Sequence, residues 1–268
     1  MNIHVRAALL AACITALLLP TAQTVAAQDT KTDTEIRILC SNGLRAAMVK
    51  LLPQYERTTG RRIKVDYGPS AVFKRSIEAG QPFDLAVLTP QLIEDLTKQG
   101  KIAAGTVVDI ATTGIGVAVR AGPSKADVST PEAMKQTLLK AKSIGYVKEG
   151  ASAAAIVNML DRLGIRDQVQ NKIVFPTGAE QSMANVASGQ TEVAFALISE
   201  IVPAPGVQIA GPFPPEFQKP IGMSAGIASS TKNREAADKI IKSLTSAEAA
   251  AAIKATGLDP ARAANLRP

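Results

Sequence analysis

Tryptophan is absent from this 268-residue chain, aromatics make up 3% of it, histidine occurs once and cysteine twice. The absences deepen once the N-terminus is read. Residues 1–27 carry a single basic residue, Arg6, a short apolar run and small residues before Ala27, which is the pattern of a secretory signal peptide cut after Ala27. Its apolar stretch is too short for a stable membrane span. Processing would remove His4 and Cys13, leaving a chain without histidine and with Cys40 as its lone cysteine.

Each absence excludes a chemistry. Without histidine there is no Ser-His-Asp triad, no Cys-His pair and no imidazole metal site. No metal and no cofactor is expected, and any acid-base work falls to Lys, Glu, Asp, Tyr or Cys40. A lone cysteine excludes an internal disulfide, so the fold must rest on its core. About 240 residues suffice for that, as one large or two small domains.

Charge is present but scattered. The 30 basic residues become 29 without Arg6, against 23 acidic ones, and Arg61-Arg62 and Lys74-Arg75 are the basic doublets. No basic run or aromatic-basic interleaving points to nucleic acid. A mild preference for anionic small molecules remains.

What is present is a strand-helix alternation. IRILC at 36–40 reads as a strand, followed by a helix with Leu44, Met48, Leu51, Leu52 and Tyr55 at helical spacing and Gly60 at its end. RIKVDYG, a helix from Ser70, the apolar run FDLAVL at 83–88 and a helix from Pro90 repeat the unit. Further strands are read at TGIGVAVRAG, SIGYV, KIVF and EVAFALI, with helices between them and two more at the C-terminal end. The rhythm predicts an α/β protein with parallel sheets and flanking helices. Residues 202–220, with six prolines, read as a long surface connection. Two lobes are expected, one from residues 28–112 and 222–268, the other from 113–221.

Four polar or glycine-containing loops lead from strand to helix: SNG at 41–43, GPSA at 68–71, KEGAS at 148–152 and TGAEQ at 177–181. In open α/β sheets ligands bind outside the carboxyl ends of the strands, where such loops sit and where helix N-termini offer unpaired N–H groups. Each loop alone is explained by a helix cap or a tight turn. Two in each lobe mark a shared cleft, with Ser41, Asn42, Gly43, Ser70, Ala71, Gly150, Ser152, Thr177 and Gly178 as candidate ligand contacts. Arg45, in the first turn of its helix, is a candidate two-pronged partner for a carboxylate.

The runs YGPSAVFKRSIEAGQPFDLAVLT at 67–89, LCSNGLRAAM at 39–48 and GQTEVAFALISEI at 189–201 resemble the periplasmic molybdate-binding proteins of ABC importers. The resemblance covers nearly all of the processed chain. It implies a two-lobed type II periplasmic binding protein fold, a small anion clamped between the lobes, an ABC permease as partner, a periplasmic location, and a monomer with no transmembrane anchor after processing. The site residues depart from that pattern in an informative way. The family's first-loop serine falls at Gly43, its late-strand tyrosine at Leu197, and its small apolar third-loop residue at Glu149 beside Lys148, while the second-loop serine is kept as Ser70. Two lost hydroxyls and a gained Lys-Glu pair favour an organic di- or tricarboxylate over a bare tetrahedral oxyanion. Some proteins similar to this group are aconitate isomerases, which abstract and return a proton. In that alternative Glu149, Lys148 and Cys40 are the candidates for the base.

Overall fold

The structure, a computed structural model, describes residues 35–123 and 126–261, so the segment read as a signal peptide lies outside the described residues. In chain order the elements are β1 Glu35–Ser41, α1 Arg45–Thr59, β2 Arg62–Gly68, α2 Ser70–Glu78, β3 Leu85–Leu88, α3 Pro90–Lys98 and β4 Val108–Thr113. There follow β5 Ile115–Arg120, α4 Pro131–Lys140, β6 Ile144–Gly145, α5 Ala153–Arg162, α6 Arg166–Val169, β7 Ile173–Val174, α7 Ala179–Ser188, β8 Val193–Leu197 and α8 Ile198–Ile201. The chain closes with β9 Val207–Pro212, β10 Ile221–Ile227, α9 Arg234–Leu244, α10 Ala247–Lys254 and β11 Asp259–Pro260. Left-handed glycines end helices where the spacing predicts, at Gly60 with φ 66° and Gly189 with φ 82°.

These strands build two sheets, in the orders β11-β4-β10-β3-β1-β2 and β7-β6-β8-β5-β9. The expected parallel pairings are present between β1 and its neighbours β2 and β3, and between β6 and its neighbours β7 and β8. The sheets are nonetheless mixed, because β10 pairs antiparallel with β3 and β4, and β5 with β8 and β9. The reason lies in the crossings. The chain runs from β4 through Gly114 straight into β5 in the other sheet, so β5 enters with its direction opposed to the strands that end at the cleft, and β10 returns the same way. Gln218 fastens this passage by accepting the Ile115 N–H at 2.8 Å and donating to the Ile115 carbonyl at 2.9 Å.

Residues 202–220 are not wholly a surface connection, because Val207–Pro212 forms a strand on β5. The prolines flank this strand, and its place at the sheet edge tolerates Pro212. Fully buried Ile36, Ile38, Leu85 and Val87 of the first sheet and Val117, Ile144 and Phe195 of the second supply the core. Each such side chain contributes about 1.5–3 kcal/mol on burial. Among the described residues no helix is long and apolar enough to cross a membrane.

Candidate functional site

The site is assembled by strand ends. β1 stops at Ser41, and Asn42–Leu44 makes one 3-10 turn before α1 begins. Gly43 is buried in that turn, and a Cβ there would lie 2.4 Å from Met223 Cε and 2.7 Å from Leu197 Cδ1. Gly43 and Leu197 are therefore one packing arrangement. The two positions that carry hydroxyls in the resembled pattern here meet in an apolar contact.

One cleft joins loops from both sheets. Its wall is Ser41 and Asn42 after β1, Gly68 to Ser70 after β2, Val147 and Gly150 to Ser152 after β6, and Phe195 and Glu200 at β8 and α8. The hydroxyl-bearing members are deeply buried, at 3% exposure for Ser41, 2% for Ser70 and 6% for Ser152. Ser70 Oγ is buried and has no hydrogen-bond partner among the described residues. An orphan of this kind costs roughly 1–3 kcal/mol, a cost that a ligand accepting its proton would remove. Among the described residues no group of three or more His, Cys, Asp or Glu side chains is placed to hold a metal.

Ser41, Asn42, Ser70, Gly150 and Ser152 thus come together, and the remaining candidates sit around them. Ala71 is half-buried behind Ser70, outside the wall. Thr177 turns to its own helix, donating from N–H and Oγ1 to Gln181 Oε1 at 2.8 and 2.9 Å. Gly178 opens α7 with its Cβ position 4.0 Å from Asn42 Nδ2. Arg45 lies in a side groove between α1 and α7, where it pairs with Glu180 at 2.6 Å and stacks 4.9 Å from the centre of the Tyr67 ring. Glu149 is exposed and held by Arg75, whose Nη2 donates to both carboxylate oxygens at 2.9 and 3.0 Å. Lys148 stands 5.7 Å over the Phe175 ring. Neither Glu149 nor Lys148 reaches the wall of the cleft.

Glu200 is the wall residue that sequence reading passes over. β8 turns directly into α8, and Glu200 at the third helical position folds back so that Oε2 accepts the Leu197 N–H at 3.1 Å. That spacing is the acidic half of a helix-start capping box, and it was the available signal. Burial pushes the Glu200 carboxyl up to about 7, offset in part by the Leu197 N–H. Beneath the first loop, Cys40 is fully buried and its thiol is pushed far above the ordinary range, which leaves it as inert packing.

A family model described as bacterial extracellular solute-binding protein matches residues 36–259. The chain belongs to the bacterial extracellular solute-binding protein family. Within this family it is 31% identical to an aconitate isomerase of Pseudomonas sp over 252 residues, covering 91% of this chain and 94% of the relative. It is 27% identical to the molybdate-binding protein ModA of Azotobacter vinelandii over 227 residues, covering 83% and 89%. The solved structure of the Azotobacter vinelandii periplasmic molybdate-binding protein superposes with a TM-score of 0.72 at 23% identity, covering 83% of this chain and 98% of that one. This family member therefore has the fold of the two-lobed binding proteins, with relatives that include both a molybdate binder and an isomerase.

Proposed function

We propose that this family member is a periplasmic receptor that closes its two lobes, residues 28–112 with 222–268 and residues 113–221, on a small organic di- or tricarboxylate and presents it to an ABC permease. One observation carries the reading: buried serines from both sheets, Ser41 and Ser70 on one side and Ser152 on the other, converge on one cleft, with the Ser70 hydroxyl unpartnered among the described residues. Hydroxyls and helix-start N–H groups suit carboxylate oxygens. The apolar contact of Gly43 with Leu197 removes two donors that a tetrahedral oxyanion would need.

A second reading, an aconitate isomerase, is favoured by Glu200. A carboxyl near neutrality in an anion pocket is suited to take a proton from the methylene carbon of an aconitate and return one at the former vinyl carbon as the double bond moves. In that reading we assign the base to Glu200 rather than to Glu149, which Arg75 holds at the rim. The Pseudomonas relative that is an aconitate isomerase points the same way.

The deciding experiment is a thermal-shift series with trans-aconitate, cis-aconitate, citrate and molybdate, run beside an absorbance assay of trans-aconitate. Stabilisation by a tri- or dicarboxylate without turnover is expected for the receptor. Turnover that Glu200→Gln abolishes would establish the isomerase. Stabilisation by molybdate alone would sink both.

A further inference from the structure

Three glutamates of the second sheet's half face the cleft region, and two of them are matched. Glu149 pairs with Arg75 and Glu180 with Arg45. Glu200 has no cationic partner among the described residues. Its Oε2 is fixed by the Leu197 N–H, and Oε1 has no protein partner among the described residues. Glu200 lines the same cleft as Ser41, Ser70 and Ser152.

We infer that Glu200 is itself a ligand-binding residue: it presents a proton from Oε1 to the bound anion, so that the cleft takes up one carboxylate together with one proton. The inference rests on the carboxylate reading for its ligand class, but its geometry stands on the anion cleft alone. Two unit negative charges about 4 Å apart near a protein surface repel by an amount worth on the order of 10³-fold in affinity. An ionised Glu200 would therefore oppose any anion in the cleft. Protonated, the same group is a donor, and it replaces a hydroxyl missing from Gly43 and Leu197.

The surroundings of Glu200 permit this. Arg45 and Lys50 of α1 and Glu180 of α7 line the side groove that Glu200 also borders, and Arg45 and Glu180 are engaged with each other. The Asn42 turn, β8, β9 and Pro203 to Pro205 contribute no titratable side chain, and Arg120 is the lone charge on β5, at its far end beside Gly189. Buried Ser199 is the polar neighbour on α8 itself, with its hydroxyl unpartnered among the described residues. Because burial already holds the carboxyl near neutrality, little work is needed to keep it protonated when an anion arrives. A carboxylate, itself a weak-acid anion, shares such a proton well, whereas sulfate, the base of a strong acid, shares it poorly.

Titration calorimetry of the full protein tests this, using trans-aconitate, citrate and molybdate at pH 6, 7 and 8.5 in buffers of differing ionisation enthalpy. The sign follows from linkage: a proton taken up on binding weakens affinity as pH rises above the free carboxyl's value. Near pH 6 almost no proton uptake is expected, approaching one proton per anion at pH 8.5, with affinity falling up to about tenfold per pH unit above 7. Glu200→Gln, whose amide can still accept the Leu197 N–H, should lose both the proton uptake and the pH dependence. Flat wild-type affinity without proton uptake, or the wild-type profile persisting in Glu200→Gln, would overturn the inference. Molybdate bound with proton uptake while carboxylates fail would keep Glu200's role and overturn the carboxylate reading. No binding by any of the three would overturn both.

Discussion

The two halves of the cleft carry opposite chemistry. The half built on the first sheet brings buried hydroxyls at Ser41 and Ser70 and outward arginines at Arg45 and Arg75. The half built on the second sheet brings one hydroxyl, Ser152, and three glutamates. At the rims the charges cancel in pairs across the halves. Inside, Glu200 stands without a cation among the described residues, and burial pushes its carboxyl toward neutrality. A charge can face another charge at a solvated rim, whereas a desolvated one must find a partner or a proton.

The sharpest way to break this contrast is to remove the interior acid. Glu200 has a raised carboxyl value in the folded protein, so the folded state holds its proton more tightly than the unfolded chain. Stability from this group is full below the unfolded value near 4.5 and is lost as pH rises toward about 7. Glu200→Gln should therefore leave stability nearly unchanged at pH 4.5 and raise it by about 1–3 kcal/mol at pH 8, allowing for the group's partial exposure. Urea denaturation of both proteins at the two pH values measures it. Equal differences at both would remove the distinction between interior and rim acids.

A smaller effect is expected on the hydroxyl side. Ser70→Ala deletes a buried oxygen that has no hydrogen-bond partner among the described residues, so the melting temperature should hold or rise slightly. Carboxylate affinity should fall by about 1–1.5 kcal/mol, the usual net worth of one hydrogen bond. Lower stability with unchanged affinity would show that the hydroxyl serves the fold instead.

The contrast also explains what could be read from residues alone. Helix ends at Gly60 and Gly189 and the loops carrying Ser41, Ser70 and Ser152 were legible because glycine stops and strand-to-helix polar turns are local signals. The antiparallel entry of β5 and β10 was not, since apolar periodicity states which face is buried and says nothing of direction. β9 was hidden by the prolines around it. Glu149 drew attention as a charge inside a loop and Arg45 as one in a helix's first turn, yet their long side chains reach across to the opposite half and leave the wall. Glu200 read as an ordinary first-turn acid until the tight β8–α8 junction turned it inward.

The smallest effects belong to the rims, where the two cross-half pairs differ enough to be ranked. Arg75 and Glu149 are 57% and 49% exposed and Arg45 and Glu180 39% and 73%, so the pairs are similarly solvated, and the difference is that Arg45 rests on Tyr67. Exposed ion pairs contribute about 0.2–1 kcal/mol, and stacking a cation on a ring adds about 0.5–1 kcal/mol of its own. Removing Arg45 should therefore cost about 0.5–1 kcal/mol more than removing Arg75, while double-mutant cycles by urea denaturation, from which the Tyr67 contact cancels, should give a coupling below about 1 kcal/mol for each pair. Both should shrink in 1 M salt, where screening acts over about 3 Å. A coupling above about 2 kcal/mol that survives such salt would mean that the rim pairs are desolvated like Glu200, and the division between a screened rim and a proton-bearing interior would not hold.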